Sequence, residues 1–143
     1  SLLSFRLARE TYAAPLTSIR QIIKLTPVTM VPRVPAHVLG IISLRGMIIP
    51  VFDLRRMLKL PAAAPARKTR IIIVTEGKFS AGLIVDEVEE VVRLVESRIE
   101  PAPTLAGLEA EFVKGIGRVG SRMIILLDLA KVLVPVSAIK AGR

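Results

Sequence analysis

Apolar positions in this chain come in short blocks, separated by polar residues, glycine or proline. Blocks of this length, rich in Ile, Val and Leu, fit strands better than helices. SFRLAR and TYAAPL predict two alternating strands around a turn at Arg9-Glu10. SIRQIIKL is open to a short helix or a strand. VTMVPRVP must be loop or sheet edge, because Pro32 and Pro35 cannot donate to a ladder. VLGIISLRGMIIPVFD predicts two strands joined at Arg45-Gly46, with Gly supplying the left-handed turn residue. TRIIIVTEG and KFSAGLIVD predict a second hairpin around Gly77-Lys78. Asp53 precedes LRRML and Asp128 precedes LAKVL, and each carboxylate can cap the short helix that follows. LPAAAPARK (60–68) reads as a spacer, EPAPTLAGLEAEF (100–112) as a longer loop and SAIKAGR as a frayed tail. The expected class is all-β, with two small barrels or sandwiches and brief helices.

The pattern also repeats. GIISLRGMIIPVFDL (40–54) aligns with GIGRVGSRMIILLDL (115–129), with five identities in 15 positions. TSIRQIIKL (17–25) aligns with DEVEEVVRL (86–94), apolar on apolar at Ile19/Val88, Ile22/Val91, Ile23/Val92 and Leu25/Leu94. The offsets, 75 and 69 residues, are about half of the 143-residue chain. Two pairs in the same order at nearly equal offsets indicate a tandem duplication. A half of this size buries only ~60% of its unfolded surface, so the halves must share a core. The expected division is a first barrel over about 10–66 and a second over about 67–133 of a single 1–143 domain, with terminal strands free to cross between them.

Composition narrows the function. The chain has no Cys, which removes disulfides and thiolate chemistry. No apolar run approaches the ~18 residues of a membrane span, and no signal-like segment is visible. A soluble cytoplasmic protein without membrane insertion is the expectation. The net charge of +9 is unevenly placed: residues 1–70 hold 12 Lys/Arg and two acids, residues 71–143 nine Lys/Arg and ten acids. Either this is a solvated basic face, or the first half attracts an acidic partner.

Candidate chemistry is sparse. His37 is the only histidine, and no plausible metal set accompanies it; it reads as a surface or half-buried packing residue. Glu87, Glu89 and Glu90 read as a solvated stripe opposite Val88, Val91 and Val92. GIGRVG (115–120) matches G-x-G-x-x-G literally, but a strand pattern follows it where a dinucleotide site needs a helix. The five aromatics are scattered and none sits in a basic cluster, which disfavours nucleic acid. No enzyme, cofactor or small-molecule substrate is expected, leaving a binding module. Its most conspicuous residue is Arg45, at the tip of two apolar strands where Asn or Asp would serve a turn.

VLGIISLRGMIIPVFDLR, AGLIVDEVEEVVRL, IEPAP and VKGIGRVGSRMIILLDLAKVL together resemble the CheW-like domain of bacterial chemotaxis coupling proteins, from about Ser4 to Leu133. The resemblance implies two five-stranded SH3-like β-barrels sharing a hydrophobic core, without enzymatic activity. It implies an adaptor between the cytoplasmic tip of a methyl-accepting chemoreceptor and the regulatory domain of a CheA-type histidine kinase, with self-association in array rings. Carried over by position, partner binding would involve Ile19, Gln21, Gly40, Arg45, Gly82 and Val91, the receptor helix lying in an apolar groove between the barrels.

Two departures stand out. The family often carries Glu in a V-x-E-I pattern where this chain has Ile19-Arg20-Gln21-Ile22, and the first half is unusually basic. Both fit a basic groove matched to an acidic receptor tip. Both also fit a divergent accessory that binds receptors but not the kinase. The absence of an initial Met leaves room for a module of a larger kinase or receiver-domain fusion.

Overall fold

The computed structural model describes residues 1–101 and 110–134. The C-terminal SAIKAGR segment and most of the 100–112 loop lie outside the described residues. Among the described residues, eleven strands and two one-turn α-helices follow in order. They are β1 (Leu2–Leu7), β2 (Glu10–Pro15), β3 (Ile19–Lys24), β4 (Val38–Leu44), β5 (Met47–Asp53) and α1 (Leu54–Met57). Then come β6 (Arg70–Glu76), β7 (Phe79–Val85), β8 (Glu87–Val92), β9 (Glu100–Pro101), β10 (Val113–Val119), β11 (Arg122–Leu127) and α2 (Leu129–Val132). SIRQIIKL, open to either state by sequence, forms strand β3 after one 3-10 turn. Asp53 and Asp128 cap their helices as expected, accepting from the Arg56 and Lys131 N–H groups.

The strands form two sheets, in the orders β3-β6-β7-β5-β4 and β8-β1-β2-β11-β10-β9. We call them the first and second modules. Their registers superimpose position by position. Ile22 pairs with Ile72, and Val91, 69 residues on, pairs with Leu3, 69 residues before Ile72. Val51 pairs with Gly82 in a parallel ladder, and Leu126 pairs likewise with Ala13. Bulges fall at the same places, before Gln21 and between Val38 and Gly40, and in their counterparts. The duplication is therefore visible in the backbone pairing itself.

The boundary expected near residue 66 does not divide the sheets. Hairpin β6–β7 of the second half completes the first module, and β1–β2 of the first half completes the second. Link length is the physical reason. To join its own half, β3 would have to lie beside β1 and parallel to β2. Such a crossover needs a dozen or more residues, and only three, Leu16 to Ser18, separate β2 from β3. Between β7 and β8 there is a single residue, Asp86. Each half therefore passes its first hairpin to the other.

The second module also has six strands where five were expected, because two-residue β9 pairs with β10. Its counterpart in the first module is a lone bridge, Thr29 with Ile41. Both approaches depend on glycine. A Cβ on Gly115 would stand 2.6 Å from the Glu100 carbonyl oxygen, and one on Gly40 would overlap the Thr29 carbonyl oxygen.

Three apolar clusters follow from the alternation of each strand. Ile42, Ile49, Val51, Ile71 and Ile73 fill the first module, and Leu2, Ala13, Val92, Ile124 and Leu126 fill the second. The opposite faces meet in one larger core that draws Phe5, Leu7 and Tyr12 from one sheet and Phe52, Ile72 and Leu83 from the other. This shared core is what the small halves required. The repeat-equivalent residues His37 and Phe112 meet edge to face, ring centroids 6.2 Å apart, so the pseudo-two-fold relation passes close to them.

Candidate partner-binding surface

Five of the six candidate residues lie in the first module, and three share one cross-strand row. Gln21, Ile73, Gly82, Val51 and Gly40 are successive partners across its five strands. Gly82 and Gly40 are buried there. A Cβ on Gly82 would meet Ile71 Cγ2 at 2.8 Å. Both glycines thus let strands and side chains close over the interior and present no side chain outward. Ile19 pairs with Val74 and packs half-buried on the shared core. Arg45 is exposed at the β4–β5 turn, where it and Gly46 have φ of 52° and 80°. Positive φ at both central residues is the type I′ pattern, in which Arg is an unusual first residue. Val91 stands apart on β8, the outermost strand of the second module, and is 53% exposed.

A residue missed by the sequence reading completes the pattern. Ile22 is the repeat equivalent of Val91 and lies on β3, the outermost strand of the first module, 42% exposed. Its partner Ile72 and Val91's partner Leu3 are both buried in the shared core. Ile22 and Val91 thus continue the shared-core face outward in both modules, uncovered. The 69-residue offset was the available signal, since it had already paired them.

The electrostatics revise two sequence expectations. Glu87, Glu89 and Glu90 are not a freely solvated stripe. Glu87 pairs with Arg6 at 3.3 Å and Lys68 at 3.5 Å, and Arg122 reaches Glu89 at 3.0 Å and Glu90 at 2.9 Å. Part of the first half's excess charge is therefore neutralised internally, because the hairpin exchange sets Arg6 of β1 beside β8. Asp86, the one-residue link, accepts from Arg55 and from the Ala8 N–H at 2.7 Å. Burial pushes its carboxyl up, but these hydrogen bonds and the Arg55 and Arg6 charges outweigh that and hold it below its ordinary value. Arg20, Lys24, Arg33 and Arg45 have no ion pair among the described residues and are exposed.

His37 is half-buried, and its carbonyl accepts from the Asp53 N–H, just as Phe112 accepts from Asp128. GIGRVG runs along β10 into a turn at Gly120, followed by a strand, so its glycines serve a hairpin. Among the described residues no cluster of His, Cys, Asp or Glu could hold a metal. No helix among them is long and apolar enough to cross a membrane.

Comparison with known proteins agrees with this architecture. The sequence model of the CheW-like domain matches residues 1–136. The probable chemotaxis protein CheW of Rhizobium etli is 34% identical over 129 residues, covering 90% of this chain and 83% of that protein. Chemotaxis protein CheW of Bacillus subtilis is 34% identical over 133 residues, covering 92% and 85%. Among solved structures, the scaffolding protein TtCheW of Thermoanaerobacter tengcongensis superposes with a TM-score of 0.83 at 37% identity, covering 89% of this chain and 87% of that one, and shares its SH3-like fold. The chain belongs to the CheW-like domain family, chemotaxis coupling scaffolds that are not enzymes.

Proposed function

We propose that this chain couples the cytoplasmic tip of a methyl-accepting chemoreceptor to the regulatory domain of a CheA-type histidine kinase, and self-associates in array rings. The observation that carries the receptor contact is the exposure of Ile22 and Val91 at the margins of the shared core. Apolar side chains that continue a core face without cover suit helix-in-groove recognition. Ile19 lies half-buried on that face, Gln21 in the row on the opposite face of β3, and Arg45 at the exposed β4–β5 turn. Gly40 and Gly82 act from within, by setting the shape of the first module.

A binding assay against both fragments tests this reading. Wild-type protein binds the receptor tip and the kinase regulatory domain. Val91→Glu and Arg45→Ala weaken the receptor complex at least tenfold while the fold persists. Unchanged receptor binding by both variants would sink the proposed surface. Receptor binding without kinase binding would assign the narrower role of a receptor-dedicated accessory.

A further inference from the structure

One cleft under the spacer and one at the end of the second module are each lined by several cations, and they differ in how those cations are answered. Under the spacer, Arg6, Arg55 and Lys68 each pair with Asp86 or Glu87. The cleft of the second module measures about 390 Å³ and is lined by Arg93, Arg98 and Arg118 with the apolar Leu94, Val95 and Val119. All three arginines are exposed, and among the described residues none has an ion pair. No carboxylate among the described residues lines this cleft, and Glu96, on the adjoining turn, lines a separate cavity with Lys114.

The duplication shows how the cleft arises. Val28 lies against the Gly40 position in the first module as Ile99 lies against Gly115 in the second. Two residues separate Leu25 from Val28, and four separate the equivalent Leu94 from Ile99. The longer link folds into a 3-10 turn over Glu96–Arg98, closed by the Arg98 N–H on the Val95 carbonyl at 2.9 Å. Arg98 is thus an added cation. Lys24 becomes Arg93 at the offset of 69, and at the offset of 75 Ser43 becomes Arg118 and Arg45 becomes Gly120. A Cβ at Gly120 would meet nothing within 4 Å, so the mouth of the cleft stays open. Arg118 and Gly120 belong to the GIGRVG stretch, which therefore offers an anion an arginine side chain on a strand, not a glycine loop opening a helix.

We propose that this cleft binds the phosphate of a small aliphatic phosphomonoester. Three guanidinium groups around one space repel one another, and an anion seated among them removes that cost. Their planar forks match phosphate oxygens through charge-assisted hydrogen bonds. A phosphate dianion neutralises two of the three charges, where a carboxylate neutralises one. Leu94, Val95 and Val119 give the carbon skeleton of the ester an apolar wall. No aromatic lines the cleft, so a nucleobase finds no stacking surface. Lipid surfaces are held by clusters of about four to eight Lys or Arg, more than line this cleft. The site goes beyond the adaptor reading and does not rest on it.

Calorimetric titration of the full chain with glycerol 3-phosphate tests this. Saturable binding with one-to-one stoichiometry is expected, and none with glycerol. Arg98→Gln and Arg118→Gln are each expected to weaken binding at least tenfold. Both should melt no lower than wild type without ligand, because each removes mutual repulsion. Arg67→Gln, an exposed cation beside the spacer, should bind as wild type does. Absence of saturable binding by wild type overturns the proposal, and so does an equal loss in Arg67→Gln. A phosphoserine peptide bound at least tenfold tighter than glycerol 3-phosphate assigns the cleft to a partner protein and overturns it. Sedimentation with phosphatidate vesicles, without binding of glycerol 3-phosphate, assigns it to a lipid surface and overturns it as well.

Discussion

The Arg55 guanidinium grips the Asp86 carboxylate with two hydrogen bonds, Nη2 to Oδ2 at 2.6 Å and Nε to Oδ1 at 3.2 Å, at the single residue that links the modules between β7 and β8. The same carboxylate holds the Ala8 N–H of the exchanged β1–β2 hairpin. Replacing Asp86 by Asn removes the charge from all of these bonds. Hydrogen bonds to a charged group contribute ~1.5–3 kcal/mol, which sets the expected loss at neutral pH. The folded carboxyl lies below its ordinary value, so the unfolded chain takes up protons first as pH falls. The stability it confers is present above the unfolded value of about 4 and is lost as pH falls through the folded value. Urea melts across pH should show wild type and Asp86→Asn parallel above pH about 5 and converging in acid. A gap that stays constant down to acid unfolding would exclude this role.

Gly40 and Gly82 should respond differently to alanine. A methyl on Gly40 meets backbone, the Thr29 carbonyl, which cannot swing away. A methyl on Gly82 meets Ile71 Cγ2, a branch-point methyl of a fully buried side chain, which can shift only with its packed neighbours. The second module already carries Ala13 at the position equivalent to Gly82. Overpacking costs typically ~1–3 kcal/mol, so both variants are expected to lose stability, Gly40→Ala more than Gly82→Ala. Denaturant midpoints of the two variants order the costs directly.

His37 carries a polar atom into the contact with Phe112. Its Nδ1 is buried and lacks a hydrogen-bond partner among the described residues. A buried group left unpaired costs ~1–3 kcal/mol. His37→Phe removes that atom and makes the pair identical across the pseudo-two-fold. A rise of a few degrees in melting temperature is expected. A fall would mean that Nδ1 is hydrated in solution.

Arg45 separates stability from binding. A non-glycine residue at φ 52° is strained by roughly 1–2 kcal/mol, and Asn relieves part of this. Arg45→Asn is therefore expected to raise stability by about 0.5 kcal/mol while lowering receptor affinity. Gain in one measurement and loss in the other would mark Arg45 as retained for its partner.

Local signals were legible in the sequence, and non-local ones were not. The hairpins at Arg45-Gly46 and Gly77-Lys78 and the caps at Asp53 and Asp128 depend on a few adjacent residues, and all were readable. β3 was ambiguous because its exposed row includes the apolar Ile22 and its half-buried row the polar Gln21, so apolar residues fall at 19, 22 and 23 instead of alternating. Glu89 and Glu90 were misread because their partner Arg122 lies more than 30 residues away and is reached only after folding. The row from Gln21 to Gly40 joins five strands from three separate stretches of the chain, so no window of sequence contains it. The hairpin exchange was hidden for the same reason, although its cause, the short links after β2 and β7, was in plain view.

That exchange makes a demand on the two halves of the chain. The spacer at 60–68 joins α1 to β6, which belong to the same module, so cutting it severs no strand pairing. Residues 1–64 alone hold β1–β2 and β3–β5, two pieces that lack their sheet partners. Residues 65–143 are in the same position with β6–β7 and β8–β11. Pro15 and Ile19 are separated by at most ~14 Å of extended chain, less than the roughly 17 Å run of a six-residue strand. Neither half can therefore fold back on itself in the native pairing. Each half expressed alone is expected to be largely unfolded by circular dichroism. Mixed at equal concentration, the halves should regain the β spectrum and elute as one species with the mass of the whole chain. A native-like spectrum from either half alone would show that the exchanged hairpin is dispensable, and would overturn the link-length account of the fold.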